Sequence, residues 1–271
     1  MSKSTRRSYL RTAIAIVLLA IMLFPLYWMV NASLQASGNT LNATLFPTDV
    51  SLDGYRVAIQ DQGRNLVTSL IIAAGTVIMT LAVATPAAYA LAQFRFRWVG
   101  IALLLILITQ MIPGIVIANG LYSVYESLGL LNSIPGLIIA NSTAAIPFAI
   151  LIMRSFMIGV PPSIVEAARV DGAGLFRSFI SIVVPIARNS LITAGLFTFL
   201  FAWSDFLFAL TLTTKGDVRP VTLGIYTYLG SQVQNWGPVM ATATLSAIPA
   251  IILLVIAQKY IAAGATGGAV K

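Results

Sequence analysis

Six stretches of roughly 20 apolar residues, each long enough to cross the hydrocarbon core of a bilayer, dominate this sequence. They lie at about 11–32, 65–93, 98–120, 134–153, 189–213 and 237–262. Of the 271 residues, 58% are hydrophobic and 9% are charged, where a soluble domain carries about 25% charged residues. A water-facing fold of this length cannot hide that apolar excess. Within a bilayer every backbone N–H and C=O must find a partner inside the protein, and helices do this segment by segment. The expected fold class is therefore all-α: a polytopic membrane protein with six transmembrane helices. Pro25, Pro86, Pro113, Pro147 and Pro249 fall inside spans. Neighbouring helices and Ser or Thr side chains can satisfy the carbonyls that proline leaves free.

Charge sets the expected orientation. With the N-terminus in the cytoplasm, twelve Lys and Arg residues fall on inner segments (Lys3, Arg6, Arg7, Arg11, Arg95, Arg97, Arg154, Arg169, Arg177, Arg188, Lys259 and Lys271). Four fall outside: Arg56, Arg64, Lys215 and Arg219. The positive-inside rule then puts both termini in the cytoplasm, with residues 1–10 as an inner N-terminal segment. The first apolar run exceeds the 7–15 residues of a signal-peptide core, so an uncleaved anchor is expected. The formal charge of +8 is spread over loop flanks rather than gathered into a patch with interleaved aromatics, which argues against nucleic acid. The chain has no Cys and no His, which excludes disulfides, thiolate nucleophiles and metal sites built on those residues.

Three connections are long: about 33–64 and 214–236 outside, and 154–188 inside. The inner one is the most informative. Pro161 and Pro162 suit a helix start. Ser163 to Val170 reads as a short helix with Glu166 near its positive end, Asp171-Gly172 as a turn, and Leu175 toward Val184 as a second helix ended by Pro185. Two short helices meeting at a glycine would make an L-shaped knob, with Ala167, Ala168, Gly172, Ala173 and Gly174 keeping one side small. An ordinary interfacial amphipathic connection fits the same spacing.

The run Glu166-Ala167-Ala168-Arg169-Val170-Asp171-Gly172-Ala173, followed by Phe179, Ile182 and Pro185, resembles the E-A-A loop of binding-protein-dependent ABC transporter permeases. That pattern sits between the fourth and fifth of six spans. The likeness covers essentially the whole chain and leans toward the carbohydrate type. The segments at 25–34, at 86–96, at 201–210 and at the Gly-rich C-terminus look like that group's, with Ser204 where relatives carry Asn and Asn189 where many have a second proline. The resemblance implies one permease transmembrane domain over 1–271 in a bacterial cell membrane, with a coupling loop at about 154–188. It implies a second permease subunit, two ATP-binding subunits and an extracytoplasmic solute-binding protein as partners. Glu166 would pair with a basic group of the ATPase, Ala167 and Ala168 would pack closely, Asp171 would cap or brace the turn, and Gly172 would permit the bend, with Ala173 completing the coupling motif. ATP and Mg²⁺ would be held by the partner. No lysine of this chain follows a glycine as a P-loop requires, so it is expected to be no enzyme and to hold no cofactor itself. The outer loop 214–236 would reach the binding protein, or serve as a plain connection.

Asp205 is the one acidic residue inside a span, flanked by Trp203 and Phe206. A carboxylate at membrane depth faces a cavity or a partner, and a carboxylate beside aromatic rings suits a sugar. A structural hydrogen bond would also account for it. Gln110, Asn119, Asn141 and Ser142 are further polar groups of the third and fourth spans, able to line a path or to tie helices together. A secondary transporter would show several intramembrane ionisable groups, and a membrane enzyme a set of paired catalytic groups; neither pattern is present. The resemblance favours import of a di- or oligosaccharide, with glycerol-3-phosphate or another small solute as the alternative.

Overall fold

The structure is a computed structural model describing residues 3–35, 44–47, 49–94, 97–216, 218–230 and 235–267. Arg95 and Lys271, counted above among the inner basic residues, and the end of the Gly-rich tail lie outside them. Twelve α-helices account for most of the described chain: α1 (Lys3–Ser33), α2 (Asp53–Gln93), α3 (Val99–Thr109), α4 (Gly114–Leu128), α5 (Ile134–Met157), α6 (Pro162–Val170), α7 (Leu175–Ser178), α8 (Val184–Ile186), α9 (Arg188–Trp203), α10 (Leu207–Leu212), α11 (Val221–Gly230) and α12 (Gly237–Gly267). A π-helical stretch, Phe179–Val183, joins α7 to α8. The single β-type contact among the described residues is an isolated bridge between Gln35 and Val50.

The expected all-α membrane architecture is present, with differences in how the spans are built. Four helices (α1, α2, α5, α12) are long and apolar enough to cross a membrane. The third span is a broken pair, α3 and α4, bent by 91° across residues 110–113. The fifth, expected as one run over 189–213, divides into α9 and α10 at Ser204–Phe206. A second bent pair joins Leu175–Ile186 to α9 at 77°. Residues 53–64, expected within an outer loop, instead extend α2 to 41 residues, a rise of about 60 Å. Just ahead of it, Ser51 Oγ accepts from the Asp53 amide at 3.1 Å, satisfying one of the N–H groups a helix start leaves unpaired.

The chain forms two compact units. The first comprises residues 1–64 and 225–248. Within it the Asn31 amide donates to Thr44 O at 2.7 Å and the Ser33 and Tyr55 hydroxyls meet at 2.7 Å. Gly54 lies against the Gly237 backbone, where a Cβ would approach to 3.0 Å. The apolar side chains of α1 from Leu10 to Leu26 are exposed throughout, as suits a helix that meets lipid or another subunit.

The second unit comprises 65–224 and 249–271. One core packs Ala84 and Ala88 of α2 against Ala149, Ile150, Met153 and Met157 of α5 and Ala194 of α9. Without water to drive helices together, small side chains that let backbones approach closely are the means of packing. A second core joins Ile72, Ala118, Tyr125, Leu137, Ala140, Phe208 and Leu212. Gly75 shows how tight these contacts are, since a Cβ there would collide with the Ile138 side chain.

Candidate functional site: a capped elbow and a cavity between two helix breaks

The D-G-A part of the motif has a direct backbone meaning. α6 opens with Pro162 at its first turn and ends at Asp171. The Gly172 amide donates to Arg169 O at 3.1 Å and the Ala173 amide to Ala168 O at 2.9 Å. These are the two bonds of a Schellman cap, which needs its second residue in the left-handed region. Gly172 is that residue, at φ +87°. Asp171 provides the C-cap through its backbone, at φ −72° and ψ 6°. The chain then turns through Gly174, which starts α7. The expected two short helices joined at a glycine are present. The second continues as π-helix and α8 rather than as one α-helix. Pro185 has no N–H to return to the preceding turn, which accounts for the widened helix beside it.

No residue of α6 is buried. Glu166, Ala167, Asp171 and Gly172 are exposed, and Ala168 and Ala173 are half-buried. Large apolar side chains stand out on the same elbow: Val170 is 87% exposed, Phe176 78% and Leu175 66%. Glu166 sits in the second turn of α6, further from the positive end than the sequence suggested.

A cavity of about 730 Å³ lies between the two helix breaks, with Gln110, Pro113, Thr143, Ser204, Asp205 and Phe206 in its wall. Gln110 forms the C-cap of α3. Asp205 precedes α10 and accepts the Phe208 amide on Oδ1 at 3.1 Å and the Ala209 amide on Oδ2 at 3.2 Å. Its carboxylate is thus a helix cap as well as a wall group. The Asn141 side chain also interacts with this carboxylate, while its amide donates to Leu137 O at 2.9 Å. The Thr222 hydroxyl donates to Asp205 O at 2.6 Å, a further tie at the break.

Of the residues singled out from sequence, Gln110, Asp205 and Phe206 share the cavity, and Asn141 stands behind Asp205. Trp203 does not join them: it is 7% exposed and stacks on Phe199 with ring centroids 5.6 Å apart. Thr143 and Ser204 belong to the wall and were not anticipated as path residues. Their signal was a hydroxyl on an otherwise apolar span, which is too common to single out. Residues 214–216 of the outer loop are held by Asn132, whose Oδ1 accepts the Lys215 amide at 2.7 Å, and much of the rest forms α11. Residues 231–234 lie outside the described residues.

Comparison with known proteins agrees with this geometry. The family model described as "Binding-protein-dependent transport system inner membrane component" matches residues 84–266. The diacetylchitobiose uptake system permease protein DasC of Streptomyces coelicolor is 30% identical over 95% of both chains. The trehalose/maltose transport system permease protein MalG of Thermococcus litoralis is 30% identical over 95% of this chain and 94% of its own. A chain from the crystal structure of a bacterial ABC transporter involved in the import of the acidic polysaccharide alginate has the same fold, with a TM-score of 0.80 at 23% identity, covering 96% of this chain and 98% of that one. An elbow closed by a glycine cap, broken spans around a cavity with a few polar groups in its wall and a family match over two thirds of the length lead to one conclusion: this chain belongs to the binding-protein-dependent transport system inner membrane components, the permease subunits of ABC transporters.

Proposed function

We propose that the chain is one of two permease subunits of an ATP-driven importer for a di- or oligosaccharide, with both termini in the cytoplasm. It works with two ATP-binding subunits, which hold the ATP and Mg²⁺, and with an extracytoplasmic solute-binding protein. The observation that carries this reading is the elbow. Its charged and apolar groups, Glu166, Val170, Leu175 and Phe176, stand exposed on a rigidly capped turn at the end of a span. Apolar side chains displayed this way in an aqueous loop mark a protein contact. A sugar substrate is supported by the named activities of the relatives and by the cavity, where amide, hydroxyl and carboxylate groups alternate with apolar wall. No span interior carries a Lys or Arg to favour a phosphate ester.

The test is reconstitution of the whole complex into vesicles with its binding protein and a radiolabelled disaccharide. Uptake is expected only with ATP and only with the ATP-binding subunits present. Uptake sustained by an ion gradient without them would overturn the proposal.

A further inference from the structure

The cytoplasmic ends of α2 and α5 cap each other. Gln93, the last residue of α2, donates from Nε2 to Met157 O at 2.7 Å and to Val160 O at 3.0 Å. Met157 closes α5, and Val160 immediately precedes the Pro161-Pro162 start of the elbow. In return Arg154, in the last turn of α5, donates from Nε to Leu91 O at 3.0 Å, in the last turn of α2. The final four carbonyls of a helix have no partner within it, so each helix here supplies what the other lacks. The guanidinium also sits where two negative helix ends converge. A second contact grips the far limb of the elbow: Tyr89 of α2 packs on Phe179 of the π-helical stretch, with centroids 5.4 Å apart.

We propose that Gln93 is a positioning residue for coupling: it latches the inner end of α2 to the root of the elbow, so that displacement of the elbow moves α2 together with α5 and α9. This rests on the permease reading above and names a third helix that the coupling stroke drives. Covalent continuity alone carries motion from the elbow only to α5 and α9. Deeper in the unit, Ala84 and Ala88 of α2 share the small-residue core with both, so a pull at the latch is delivered to one packed block.

The test uses the assembled complex in vesicles and measures sugar moved per ATP hydrolysed. Gln93→Glu and Gln93→Met keep the length of the side chain and remove its N–H donors. Gln93→Arg replaces them. The Glu and Met variants are expected to assemble and to hydrolyse ATP, with transport per ATP lowered about tenfold, the scale of losing two half-buried hydrogen bonds. The Arg variant is expected to recover most of it. Parental transport per ATP in the Glu and Met variants would overturn the latch, as would an Arg variant as defective as Met. Failure of the Met variant to assemble would overturn it too, because the contact would then serve folding alone. If the parent complex itself shows no ATP-dependent sugar uptake, it is the sugar-importer reading that fails, not the latch.

Discussion

Both carboxylate oxygens of Asp205 are engaged by backbone amides, those of Phe208 and Ala209. From sequence alone a lone carboxylate in a span reads as a substrate or ion ligand, and the cap is invisible until α10 is seen to begin there. The two roles separate by substitution. Asparagine caps about as well as aspartate, whereas alanine costs about 1 kcal/mol. Asp205→Asn is therefore expected to keep the melting temperature of the purified complex and Asp205→Ala to lower it. An equal drop for both would show that charge, and not capping geometry, is what the site requires. Trp203 teaches the converse. Next to a carboxylate in sequence it looked like a wall residue, yet the end of α9 turns it onto Phe199, because adjacent helix positions face different directions.

At the scale of elements, hydropathy located every span but not its continuity. Pro25, Pro86, Pro147 and Pro249 all lie inside unbroken helices, while Pro113 marks a break. Proline by itself therefore could not tell the two apart. The polar start of α2 escaped for a different reason: residues 53–64 carry Asp53, Arg56, Asp61 and Arg64 and read as solvated loop. The elbow was the most legible element, because its motif is also a backbone instruction. Gly172 at φ +87° has open space where a Cβ would project, so Gly172→Ala meets no clash and costs only about 1 kcal/mol of left-handed strain. Its expected effect is a misaligned elbow: unchanged helix content by circular dichroism, with ATP hydrolysis no longer stimulated by loaded binding protein. Full stimulation in this variant would show that the bend is not used.

At the scale of the whole chain, orientation is the claim most open to direct measurement. The sequence contains no cysteine, so single cysteines can be added without a background. Val170→Cys, at an 87% exposed site on the elbow, is expected to react with a membrane-impermeant maleimide only in inside-out vesicles. Lys215→Cys, on the outer connection, is expected to react only from the opposite side. Reaction of both from one face would invalidate the topology drawn from twelve inner and four outer basic residues.

The bend between α3 and α4 has a consequence for where this polypeptide can exist. Across residues 110–113 the α-helical ladder gives way to tighter turns, the Gln110, Met111 and Ile112 amides donating to Leu107, Ile108 and Thr109 O, before the chain bends by 91°, and hydrocarbon offers no donor or acceptor for any backbone group such a bend leaves unmade, at several kcal/mol per group. Bare lipid would unravel that stretch. A corner of this kind is stable where water reaches it, and Gln110 and Pro113 border a cavity, so this stretch is shaped for moisture rather than for oil.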